Sequence, residues 1–108
     1  MTRYYSLRVE TGEAVDDAGR PVNWVACPAL PGAYEEAASA DASRERLATL
    51  ARRIIAEHVA RDDPLDPEIA VGVRPPPARH DLLVVPLSDA DVEEARNAPL
   101  LVVEQPEP

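Results

Sequence analysis

Residues 23–59, Asn23-Trp24-Val25-Ala26-Cys27-Pro28-Ala29-Leu30-Pro31-Gly32 followed by AYEEAASADASRERLATLARRIIAEHV, decide the fold of this chain. Asn23 to Cys27 reads as a strand. Pro28 and Pro31 each fix φ near −65° and lack an N–H, while Gly32 is free to take positive φ, so the chain must turn sharply there. Ala33 to Ala38 reads as a short third strand anchored by Tyr34. Ser39 is a good N-cap, with Asp41 in the first turn beyond it. From Ala40 a helical stripe runs through Ser43, Leu47, Leu50, Ala51, Ile54 and His58, with Arg44, Glu45, Arg52, Arg53 and Glu57 outside it. The helix should stop near Arg61, because Asp62-Asp63-Pro64 and Asp66-Pro67 cannot continue it.

Working outward, Tyr4 to Glu10 alternates, with Tyr5, Leu7 and Val9 on one face and Ser6, Arg8 and Glu10 on the other. Thr11 to Pro21 is polar and turn-rich, and reads as a long connection to a second strand that pairs antiparallel with the first. Beyond the helix, Asp62 to Arg79 is a proline-rich connection in which Glu68 to Val73 could form a short extended or helical piece. Asp81 to Leu87 is the clearest strand of all. Leu82-Leu83-Val84-Val85 is apolar on both faces, which asks for cover on both sides. Ser88 can cap a short helix, Asp89 to Arg96, and Pro99 to Val103 is a last apolar segment. The expected fold is α+β, an antiparallel sheet of three or four strands on one main helix in the order β-β-β-α-β. Residues 1–88 form that domain and residues 89–108 a short helix with an apolar, proline-containing tail.

Composition narrows the function classes. The chain has 108 residues and is 45% hydrophobic, enough for one core. No apolar run reaches membrane-spanning length, and the start of the chain has no signal-like apolar region. Cytoplasmic residence, without membrane association, is the simplest expectation. Cys27 is the only cysteine, which excludes an internal disulfide. The formal net charge of −9 works against direct DNA or RNA binding, which draws on cations that neutralise phosphates.

No motif gathers catalytic chemistry. His58 lies on the helix stripe near its C-terminal end, where a partly buried histidine is favourably placed. His80 opens the last strand without a partner motif. Cys27 with two histidines gives too few ligands for structural zinc. A Cys27–His nucleophile pair is the one enzymatic alternative. Glu35-Glu36 and Asp62-Asp63 are sequence neighbours and mostly point apart. No catalytic residue, metal ligand or cofactor is assigned.

Taken together, the features from Tyr4 to Leu87 resemble the HicB-like antitoxin family. Tyr4-Tyr5 opens the first strand. Cys27-Pro28-Ala29-Leu30-Pro31-Gly32 stands where that family has a Pro-Asp-Leu-Pro-Gly corner. Asp63-Pro64-Leu65-Asp66-Pro67 is similar to its acidic exit from the helix. Asp81-Leu82-Leu83-Val84-Val85-Pro86-Leu87 is similar to its final strand. Ala29 replaces the corner's Asp, and Ala33 the Cys that often follows its Gly. The resemblance implies a degenerate double-stranded-RNA-binding-like fold that neutralises a small basic toxin RNase by occlusion. It implies no enzymatic activity. The family's C-terminal DNA-binding module has no counterpart in residues 88–108. A stand-alone homo-oligomer without a toxin is the alternative. The expected fold-and-interface set is Tyr4, Tyr5, Leu30, Pro31, Gly32, Tyr34, Leu82, Leu83, Val84 and Val85.

Overall fold

A computed structural model describes residues 1–98 and shows an α+β fold of eight elements. They are β1 (Thr2–Arg8), β2 (Glu10–Val15), β3 (Pro21–Ala26), β4 (Tyr34–Ala37), α1 (Ala40–Ala60), β5 (Ala70–Gly72), β6 (Leu82–Ser88) and α2 (Asp89–Asn97). The strands form two antiparallel three-stranded sheets, ordered β5-β1-β6 and β2-β3-β4. The sheet expected from sequence is therefore larger and divided. The extra strands are β2, inside the segment read as a connection, and β5, inside the proline-rich stretch.

Only Val9 separates β1 from β2, and hydrogen-bond parity shows how they share partners. Val9 donates its N–H to Asp81 C=O at 3.0 Å, and Asp89 donates to Met1 C=O at 3.2 Å. Antiparallel pairs alternate between bonded and non-bonded. The odd residues Arg3, Tyr5 and Leu7 therefore exchange bonds with Leu87, Val85 and Leu83 of β6. The even residues Tyr4 and Ser6 turn their backbone groups to Gly72 and Ala70 of β5. The same parity carries Glu10, Gly12 and Ala14 to Ala26, Trp24 and Val22 of β3. Residues 2–15 are thus one long strand with β5 and β3 along one edge and β6 along part of the other.

Local chemistry sets each turn. The connection between β2 and β3 is only Asp16 to Arg20. Gly19 sits there at φ 80°, and Asp16 Oδ1 accepts from the N–H groups of Ala18 and Arg20, both at 2.9 Å. The corner is a double turn, with Leu30 N–H bonded to Cys27 C=O at 3.1 Å and Ala33 N–H to Leu30 C=O at 3.0 Å. Pro31 followed by Gly32 at φ 86° is the pairing a type II turn asks for. Cys27, Ala29, Leu30 and Ala33 turn inward, while Pro28, Pro31 and Gly32 are exposed.

Ser39 caps α1 as expected, its Oγ accepting from Ala42 N–H at 3.1 Å. At the other end Asp63 N–H reaches His58 C=O at 2.8 Å and Asp62 N–H reaches Val59 C=O at 3.2 Å. These are the two bonds of a Schellman cap, here with Asp62 rather than glycine at positive φ, 58°. The residues α1 buries are Ser43, Leu47, Ala51, Ile55 and Ala56. Ile54 and His58, expected on the buried stripe, are half-buried at its flank. Leu47, Ala51, Ile55 and Ala56 join Tyr5, Leu7, Val9, Val25, Leu83, Val85 and Leu87 in one core, and Val92 and Ala95 of α2 pack against it.

Ser88 and Asp91 start α2 with a reciprocal capping box: Ser88 Oγ accepts from Asp91 N–H at 3.1 Å, and Asp91 Oδ2 accepts from Ser88 N–H at 2.9 Å. These bonds from Ser88 hold the Asp91 carboxyl below its ordinary range. A depressed folded-state value stabilises above the unfolded value of about 3.9 and is lost as pH falls through the lower folded value. Thermal melts between neutral and acid pH should therefore show a falling acid limb, shallower in Asp91→Asn, and Ser88→Ala should cost about 1 kcal/mol at neutral pH.

Candidate interaction surface

The helices cover one face of the strands. The other face carries the even residues of β1 and β2 and their cross-strand partners, and among the described residues no element packs on it. Its first patch is Tyr4, Leu82 and Val84, half-buried, beside the exposed Pro86. Its second is Trp24, stacked on Tyr34 with ring centroids 6.1 Å apart and planes at 20°. Between them run Arg8 and Glu10, with Arg8 bonded to Glu68 at 2.9 Å and 3.7 Å from Glu10. The two-sided cover that the apolar run Leu82 to Val85 asks for is therefore half supplied. Leu83 and Val85 face the core, and Leu82 and Val84 face outward. Leu100 to Val103 lie outside the described residues.

The residue set expected from sequence divides along the same line. Tyr5, Leu30, Leu83 and Val85 are core. Tyr4, Leu82 and Val84 lie together on the open face. Pro31 and Gly32 shape the exposed corner. Tyr34, 48% exposed, belongs to the second patch and donates its hydroxyl to Glu36. Sequence reading missed the central residue of that patch, Trp24. The hairpin held the signal: pairing Asp16 with Arg20 puts Gly12 opposite Trp24. A Cβ at Gly12 would stand 2.5 Å from the indole ring, so glycine there is what lets the ring lie across β2.

The edges of the sheets are managed by side chains. Parity turns the nitrogen of Pro86 outward on β6, where no ladder bond is lost. Arg44 of α1 donates Nη1 to His80 C=O and Nη2 to Leu82 C=O, both at 3.0 Å. On the far side Arg46 Nη1 donates to Glu36 C=O of β4 at 2.9 Å. The edges of β6 and β4 are thereby blunted against adding another chain.

The groups weighed for chemistry stand apart. Cys27 is buried at the corner, and burial pushes its thiol up, away from a nucleophilic thiolate. His58 is at the end of α1, with Nδ1 buried and without a hydrogen-bond partner among the described residues. His80 is exposed beside Arg79, which forms a 2.7 Å ion pair with Asp81 and holds that carboxyl below its usual range. Among the described residues no group of three metal-ligating side chains converges. No helix of the described residues is long and apolar enough to cross a membrane.

Comparison with protein-family models, curated proteins and solved structures gives no match for this chain.

Two measurements check this geometry. Gly12→Ala should displace the single tryptophan, giving red-shifted emission and loss of the Trp24–Tyr34 stacking signal in near-UV circular dichroism. Cys27 should react with a thiol reagent far more slowly in the native protein than in denaturant, and Cys27→Ala should leave the fold intact.

Proposed function

We propose that this protein is a non-enzymatic, HicB-like antitoxin-type binding protein that neutralises a small basic toxin RNase by docking on it and occluding its RNA-binding surface. The observation that carries the reading is the open sheet face, with Tyr4, Leu82 and Val84 in one patch and Trp24 and Tyr34 in the other. Aromatic residues on an uncovered face are favoured anchors of protein interfaces. The charge of −9 supports a basic partner, whose approach it would accelerate. The order of strand, Leu-Pro-Gly corner, short strand, long capped helix and Val-Pro-containing strand supports the family resemblance.

A stand-alone homo-oligomer is the second reading. Its support is the patch of Tyr4, Leu82, Val84 and Pro86, which carries no charge and so could face its own copy. Cytoplasmic residence belongs to both readings.

Co-expression with the adjacent open reading frame separates them. The antitoxin reading expects co-purification of a small basic protein and relief of the growth arrest that it causes alone. Trp24→Ala with Tyr34→Ala should weaken that complex by about 2 kcal/mol or more. A free homo-oligomer, dispersed by Val84→Glu and indifferent to the neighbouring product, would sink the first reading and support the second.

A further inference from the structure

Among the described strands, β2 has the longest bare edge. On β6, Arg44 takes the Leu82 carbonyl, Pro86 offers no N–H, and Asp91 takes the Ser88 N–H. On β4, Arg46 takes the Glu36 carbonyl. β5 is three residues long. β2 differs. Parity sends the N–H and C=O groups of Thr11, Glu13 and Val15 away from β3, alongside the space that β6 vacates before Asp81. Among the described residues these groups take no partner. The side chains of all three are exposed, Val15 at 67%. A groove of about 310 Å³ opens beneath this edge, lined by Thr11, Glu13, Asn23, Ser43, Arg44 and His80.

Charge decides the occupant. The run Glu10 to Asp17 holds Glu10, Glu13, Asp16 and Asp17 and no cation. Arg8 and Arg20 are drawn to Glu68 and Asp16, leaving Glu13 and Asp17 without an ion-pair partner among the described residues. Arg44, at the base of the groove, is committed to the backbone carbonyls of His80 and Leu82. A second copy added antiparallel here would set acid against acid, which is destabilising. The chain's own segment Leu100 to Val103 brings no cation, and Glu104 follows it.

We infer that the β2 edge accepts an extended, basic segment of a partner protein as an added strand. The main-chain groups of Thr11, Glu13 and Val15 supply the bonds, and Glu13 and Asp17 select arginine- or lysine-bearing positions. The inference rests on the binding-protein reading but not on the partner being a toxin.

The test uses a blocked peptide of alternating arginine and valine, with amide exchange followed residue by residue on the full chain. The peptide should protect the amides of Thr11, Glu13 and Val15. A copy methylated on alternate backbone nitrogens should bind about tenfold or more weakly, as should the unmodified peptide to Glu13→Lys. Glu13→Pro removes an outward N–H that the fold does not use. It should abolish peptide protection while Val22 and Trp24 of β3 keep theirs, and Glu13→Lys carries the test should that proline variant fail to fold. Equal binding of the methylated peptide, protection at β4, β6 or the open face instead, no binding of the unmodified peptide, or prior protection of these amides by the chain's own tail or a second copy would each overturn the inference. A toxin that co-purifies while the β2 amides stay exchangeable would overturn it alone. Peptide capture without any toxin would overturn only the antitoxin reading.

Discussion

Everything in this protein hangs on the alternation of backbone hydrogen bonds along residues 2–15. One strand serves two sheets because its even residues bond in one direction and its odd residues in the other. The Val9–Asp81 bond fixes the phase, and with it which residues of β6 face the core, where the nitrogen of Pro86 points, and why the outer edge of β2 has no partner among the described residues. A one-residue slip would exchange the two faces of the strand. Tyr5, Leu7 and Val9 would leave the core, and Arg8 and Glu10 would enter it.

The helix then completes what the parity begins. Its apolar side closes the inner face, and α2 packs beside it without reaching the other side. Among the described residues, the strands are covered beneath and open above. The reactive groups are scattered: a thiol raised by burial at the corner, one histidine at a helix end, another in an exposed bend.

How much of this was legible in the sequence depended on how local the cause is. Ser39, Ser88 and the Pro31-Gly32 pair announce their roles because each acts through its own few neighbours, and α1 and α2 begin where those residues say. The strand Leu82–Ser88 is legible because its composition leaves little else to be. β2 was hidden. Thr11-Gly12-Glu13-Ala14-Val15 has no apolar alternation, and its glycine is there to fit the Trp24 ring across the hairpin, which is a tertiary cause. β5 owes its existence to the neighbouring edge of β1. On α1 the buried line drifts from Ile54 to Ile55, since a period of 3.6 does not hold an integer stripe over so long a helix.

Arg44 and Arg46 stand two residues apart, which on an α-helix is a separation of about 200°. One reaches left to β6 and the other right to β4. Any roll of α1 about its own axis would slacken one tether while straining the other, so the pair fixes the rotational setting of the helix from both sides. The domain therefore has a keyed axle. The two halves of the sheet meet covalently through Val9, and they are indexed to each other a second time through a helix that cannot turn without pulling on both.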